Sequence, residues 1–233
     1  MNRTARQIAL PANYNPNNTI PDDLKNLGVD STIVHQDDEG QEHTIYLQRH
    51  QHSINNGHMF NGFLDLNHGT KPSFAVKGIY ANRYDANDAH HDVDNEIVIR
   101  NHILQKEGTL QVAMDHGVIL PQHLLSNRAQ GNIPNDQRYY FILSSWADGG
   151  DLYDSLVDPF NESHCRNKFR QMFEIVNYLH GHGVFHRDLK PENFVSNGEN
   201  DDVYVIDFGK SRICDADLIQ NDNEGYGTVS IYM

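Results

Sequence analysis

The sequence predicts an α+β fold, and three observations carry that prediction. Short β-prone runs fall at residues 44–48, 74–80, 139–143 and 203–206, each rich in branched or aromatic side chains. Two longer segments, 88–106 and 161–182, carry a helical period instead. With 233 residues, 38% of them hydrophobic and 21% charged, the chain has material for one sizeable domain or two small lobes around a real core.

Residues 1–42 are rich in Asn, Pro and Asp and show no sustained period, so a loosely ordered extension is expected there. In the first helical segment Val93, Ile97 and Leu104 fall near one face, and Gly108 stops it. Residues 122–137 are polar, contain Gly131 and Pro134, and read as a long surface loop. The second helix starts at Asn161 as N-cap with Glu162 in its first turn. Its apolar residues Cys165, Phe169, Met172, Phe173, Val176 and Leu179 predict one buried face, closed by Gly181 and Gly183. The sequence contains no internal repeat.

Charge excludes some partners. Eighteen Lys and Arg against 32 Asp and Glu leave a formal charge of -14, a field that repels phosphodiester backbones and anionic lipid surfaces. Neither nucleic acid nor membrane is expected as a partner. Cys165 and Cys214 cannot build a disulfide framework, which fits a reducing compartment, cytoplasmic or nuclear. No signal-length apolar run follows Met1, and no stretch approaches the roughly 18 apolar residues of a membrane span. The fifteen histidines find no Cys or carboxylate completing a zinc set, so no zinc is assigned.

The chemistry-bearing residues cluster late. Directly after the second helix stands His186-Arg187-Asp188-Leu189-Lys190-Pro191-Glu192-Asn193, and Asp207-Phe208-Gly209 follows a β-prone run. Together they supply a carboxylate at a loop tip, a lysine two residues on, and an amide plus a second carboxylate able to share hard cations through oxygen. Phosphoryl transfer needs these parts, because its loose transition state is served by alignment and by charge on the phosphoryl oxygens.

At these residues the chain resembles the eukaryotic protein kinase family, whose catalytic-loop and DFG motifs stand here unaltered. The resemblance covers residues 43–233. It implies a bilobal protein-kinase-like α+β fold with a complete β-rich N-lobe at 43–146 and a partial helical C-lobe at 147–233. It implies that Asp188 accepts or orients the substrate hydroxyl proton and Lys190 neutralises the transferred phosphoryl group, while Asn193 and Asp207 hold Mg²⁺ on ATP. Lys190-Pro191-Glu192-Asn193 resembles the serine/threonine branch, so the implied partner is a protein substrate bearing Ser or Thr.

Upstream, Phe74-Ala75-Val76-Lys77 resembles the family's third strand, and Glu96 lies 19 residues beyond Lys77 on the first helix, a spacing that implies the paired lysine and glutamate. A flexible ammonium reaching phosphates stays put only if a carboxylate opposes it. The phosphate-covering loop departs from the family's G-x-G-x-x-G-x-V: residues 54–63 keep Gly57, place Asn at expected glycine positions, and set Phe63 at the valine position after an inserted residue. Tyr140-Phe141-Ile142-Leu143-Ser144-Ser145-Trp146-Ala147 resembles the strand and hinge joining the lobes. The backbone of Ser145 and Ala147 is expected to meet adenine, Ser144 to take the gatekeeper position, Asp151 to meet ribose, and Ala75 and Val195 to complete an apolar slot.

After the DFG turn, residues 227–233 look like the approach to an Ala-Pro-Glu motif that the sequence does not reach. The second helix is then expected to lack part of its packing partner, at roughly 1.5 to 3 kcal/mol per large side chain left wet. Impaired transfer and self-association through exposed C-lobe surface are the expected consequences. A non-catalytic, pseudokinase-like nucleotide- or partner-binding module is the alternative function. The acidic residues Asp215, Asp217, Asp222 and Glu224 are expected to form a solvated loop, or to pair with Arg187 in place of a phosphate.

Overall fold

The computed structural model describes residues 29–36, 42–48, 52–54, 57–63, 74–80, 86–126, 139–155, 162–198 and 200–214. The acidic run, Asn161 and the segment 227–233 lie outside them. The first lobe is an antiparallel sheet of seven strands: β1 (Val29–Gln36), β2 (Glu42–Gln48), β3 (His52–Ile54), β4 (Gly57–Phe63), β5 (Phe74–Tyr80), β6 (Pro121–Ser126) and β7 (Tyr139–Ser145). Their order is β1-β2-β4-β5-β7-β6, with β3 paired to β4. Ile45, Leu47, Phe60, Val76, Phe141 and Leu143 bury themselves as its core, which follows from strand alternation putting every second side chain on one face.

Two expectations need correcting. Strand β1 lies inside the stretch read as an extension, and it pairs with β2 from Val29↔Gln48 to Gln36↔Glu42. Its Ser, Asp and His residues disguise a β-branched run that ladder hydrogen bonds with β2 hold in place. Strand β6 lies at the start of the stretch read as a loop. As an edge strand it accepts Pro at its first position, and only Leu125 and Pro121 of its side chains are buried.

Helix α1 (Ala86–Glu107) ends as expected at Gly108, whose φ of 82 gives a left-handed cap with its N–H donating to Leu104 O at 2.8 Å. Its buried face is not the expected one. Val93 packs with Ile79, Tyr140 and Ile142 of the sheet, whereas Ile99 and Ile103 enter a second core with Phe208. The helix therefore buries two faces and joins both cores; Ile97 and Leu104 are half-buried.

The short helices α2 (Leu110–Asp115) and α3 (Leu152–Ser155) precede α4 (Glu162–Gly181). The buried stripe of α4 is Cys165, Lys168, Ile175 and Leu179, while Phe169 is 45% and Phe173 65% exposed. The predicted face is thus rotated. What turns the helix is an ion pair: Lys168 reaches the Asp201 carboxylate and donates to Asp201 O at 2.9 Å, while Gln171 Oε1 accepts from Val203 N at 2.8 Å. A buried ammonium is tolerated only with such partners, and hydropathy alone cannot show that. Strands β8 (Val184–Phe185), β9 (Phe194–Ser196), β10 (Val203–Val205) and β11 (Arg212–Ile213) form the pairs β9–β10 and β8–β11. They carry the loops on which the site is built. Among the described residues no helix is long and apolar enough to cross a membrane.

Candidate active site

Strand β5 turns Val76 into the sheet core, so its neighbour Lys77 points to the opposite face. There its Nζ donates to Glu96 Oε1 at 2.8 Å and to Asp207 Oδ1 at 2.7 Å. One ammonium thus ties together strand β5, helix α1 and the loop after β10. Burial pulls the Lys77 pKa down, but the charges of Glu96 and Asp207 outweigh it and hold the ammonium above the ordinary lysine range. Burial pushes the Asp207 carboxyl up, yet Lys77 beside it wins and keeps the group below the usual carboxylate range. Glu96, only 5% exposed, is raised by burial against the pull of Lys77.

The second cluster follows β8. Asp188 Oδ2 accepts from Asn193 Nδ2 at 2.9 Å and lies 3.0 Å from Lys190 Nζ, and Asn193 Nδ2 also reaches Asp188 O at 2.7 Å. Asn193 sits at the end of a 3-10 turn, Pro191–Asn193, whose proline needs no N–H at that position. Its amide nitrogen serves Asp188, so its carbonyl oxygen is the atom suited to a cation. The two clusters meet at Ile206: its N–H donates to Asn193 O at 3.0 Å, and its carbonyl lies 2.9 Å from His186 Nε2. Asp207 is the next residue, held at a left-handed φ of 65.

His186 is the pivot of this arrangement. Its Nε2 faces a carbonyl and must donate, while its Nδ1 faces the Asp188 N–H at 3.4 Å and must accept. That pattern fits only the neutral ring, and burial lowers its pKa. The unfolded chain protonates His186 near pH 6.5 while the folded one does so only at lower pH, so this contribution to stability is full above about 6.5 and declines as pH falls below it. The expected result is a melting temperature that drops between pH 7.5 and 5.5 more steeply in the native protein than in His186→Gln. Equal slopes would assign the pH dependence to other groups.

The residues expected around a nucleotide base fall as follows. Ala75 pairs with Ser144 on one side and Asn61 on the other. Ser145 pairs with Phe74, and its Oγ accepts from Gln122 Nε2 at 2.6 Å. Ala147 is half-buried in the connection that follows. Asp151 bridges to Val195 of β9, and its Oδ1 accepts from Asp154 N at 2.9 Å as the cap of α3, so one carboxylate oxygen is committed to the helix. Gly149 closes this connection onto β9: a Cβ there would sit 2.6 Å from Ser196 Oγ and 2.7 Å from Ser196 O. Gly57 pairs with Ile54 where β4 runs against β3. The register sets Asn61, not Phe63, opposite Ala75, while Phe63 pairs with Tyr46 further along the strand. The cross-strand register, which the pattern of side chains along one strand does not fix, accounts for that two-position offset. Asn61 is buried and donates to Gln48 Oε1 at 2.6 Å.

Sequence reasoning missed Asp92 and Asn95. They stand one turn and one residue before Glu96, and they contact the backbone and side chains of residues 208–211. The i, i+3, i+4 spacing of 92, 95 and 96 places all three on one helical stripe, but that spacing carries no sign of the partners that the stripe meets.

This two-lobed α+β arrangement, with a sheet-borne lysine clasped by a helix glutamate above a carboxylate loop, is a fold of the protein-kinase kind. A family model described as Protein kinase domain matches residues 51–228, and the chain belongs to the eukaryotic protein kinase family. Testis-specific serine/threonine-protein kinase 3 of Mus musculus is 34% identical over 112 residues, covering 47% of this chain and 38% of that protein. A calcium/calmodulin-dependent protein kinase type 1 of Macrobrachium nipponense is 34% identical over 88 residues, 36% of this chain and 26% of that one. A probable serine/threonine-protein kinase of Dictyostelium discoideum is 38% identical over 88 residues, 35% of this chain and 12% of that one. The aligned region therefore spans well under half the length of each of these relatives.

Proposed function

We propose that this chain performs ATP-dependent phosphoryl transfer to serine and threonine hydroxyls of proteins. The observation that carries the reading is Lys77 Nζ held 2.8 Å from Glu96 and 2.7 Å from Asp207. A cation so fixed is a phosphate anchor with little freedom left to lose. The donor set fits a hard divalent cation: the Asp207 carboxylate and the Asn193 amide oxygen are the ligand types Mg²⁺ takes, with water and phosphate completing its shell. Bound there, Mg²⁺-ATP supplies the phosphoryl group and the metal charge that neutralises it. The protein's own work is then divided. Lys77 holds phosphate oxygens, Asp188 orients the incoming hydroxyl and accepts its proton, and Lys190 offsets charge on the group in transit. The Ser/Thr preference rests on Lys190-Pro191-Glu192-Asn193 and on the serine/threonine names of the relatives.

Titration calorimetry with Mg²⁺-ATP, followed by transfer of labelled phosphate to paired serine, threonine and tyrosine peptides, tests this reading. Binding in the native protein, a loss of about ten- to a hundredfold in Lys77→Met from its missing charge-assisted bonds, and labelling of serine or threonine peptides are expected. A protein that binds no nucleotide would refute it. Binding without transfer would favour the second reading, a non-catalytic nucleotide- or partner-binding module. One observation supports that alternative. Of the two glycines in β4, Gly62 is committed to packing, since a Cβ there would lie 2.6 Å from Val76 Cγ2, leaving Gly57 as the one glycine of β4 not so committed.

A further inference from the structure

Helix α1 does more than hold Lys77. Asn95 Nδ2 lies 3.2 Å from Phe208 O, 3.0 Å from Gly209 O and 2.5 Å from Ser211 O. These carbonyls belong to one turn, closed by Ser211 N–H donating to Phe208 O at 3.0 Å. Two amide protons thus serve three converging acceptors, an arrangement that positions the turn as a unit. On the same stripe Asp92 Oδ1 pairs with Lys210 Nζ at 2.9 Å; the carboxylate is 9% exposed and the lysine 56%. Gly209 lies flat against the helix, where a Cβ would meet Asp92 Cβ at 3.2 Å.

We propose that Asn95, with Asp92 as its helper, is a positioning residue that fixes the backbone after Asp207 and so aims the Asp207 carboxylate at its cation. The proposal deepens the phosphotransferase reading above and rests on it. Lys77 holds the Asp207 carboxylate only until that group turns to a metal. From then on the left-handed φ of 65 at Asp207, a strained conformation for a residue with a Cβ, is maintained by what grips the residues behind it. Asn95 is that grip, and it belongs to the unmodified chain, needing neither a phosphate nor a partner.

The test compares the native protein with Asn95→Ala, Asn95→Asp and Lys210→Met. Amide hydrogen exchange at residues 207–211 is followed in the dephosphorylated, nucleotide-free protein, and ATP affinity is measured by calorimetry with Mg²⁺ and with EDTA. Asn95→Ala and Asn95→Asp are expected to speed exchange at 207–211 about tenfold, with strands β9 and β10 unaffected. They are expected to lower affinity only in the presence of Mg²⁺. Lys210→Met, half-exposed and harmless to folding, is expected to give a change of about two- to threefold in exchange. Unchanged exchange in the Asn95 variants, or equal affinity losses with Mg²⁺ and EDTA, would overturn the positioning role. Should the Asn95 variants not melt cooperatively, Lys210→Met decides, and native exchange in it would refute the clasp. A native protein that binds no Mg²⁺-ATP refutes the functional reading instead, while the exchange measurement still judges the clasp.

Discussion

Phe208→Ala is expected to destabilise the fold by about 3–5 kcal/mol, the usual cost of emptying a fully buried aromatic site. Phe208 is 0% exposed and lies in the core that holds Ile99 and Ile103 of α1, Val118 and Leu120, Leu179 of α4, Val184 and Val205. Its ring also stands 5.1 Å from that of His186. One side chain therefore joins the helix that carries Glu96 to the loop that carries Asp188. Set against a total stability of about 5–15 kcal/mol, its loss removes from about a fifth to all of the margin. Urea denaturation at pH 7.5 measures it, and a shift worth under about 1 kcal/mol would show that the cavity collapses and the ring is dispensable. Phe208→Leu, which keeps most of the volume, is expected to fall well short of the alanine cost.

The site was readable in the sequence where chemistry is contiguous. Asp188, Lys190 and Asn193 lie within six residues, so one loop must bring them together, and the structure closes that loop with bonds among those same three side chains. Lys77 and Glu96 were readable through the resemblance, whose 19-residue lysine–glutamate spacing singles out Glu96 among the five carboxylates of the helix, and the structure pairs the two at 2.8 Å. Residues whose placement depends on long-range partners were not readable. Lys168 lies in the buried stripe of α4 only because Asp201 meets it there. That pairing leaves Phe169 and Phe173 outside, against what hydropathy predicts. Asn61 was hidden by register: shifting a strand by two residues keeps every side chain on its face, so the pattern of β4 cannot say whether 61 or 63 faces Ala75. Strand β1 depends in the same way on ladder bonds to β2. Asn95 illustrates the third kind of blindness, since its partners are backbone carbonyls, which leave no trace in a sequence.

Asp188→Asn is expected to lower phosphoryl transfer to a serine peptide by about 10²–10⁴-fold, the range of a positioned general base, while leaving folding and Mg²⁺-ATP affinity nearly intact. The reason lies in what the carboxylate does in the free protein. It accepts from Asn193 and pairs with Lys190, with both side chains of the ion pair 38% exposed, and an ion pair so accessible to water contributes at most about 1 kcal/mol. An asparagine oxygen still accepts from Asn193, so the loop keeps its shape. What the amide cannot do is take a proton from an attacking hydroxyl or hold Lys190 by charge. The loss should therefore fall on kcat rather than on nucleotide binding, the opposite of Lys77→Met, whose effect is expected first in affinity. Retention of more than about a tenth of the native turnover would remove Asp188 from the base role. A parallel collapse of the melting temperature would mean that the carboxylate is structural, and the contrast with Lys77→Met would be lost with it.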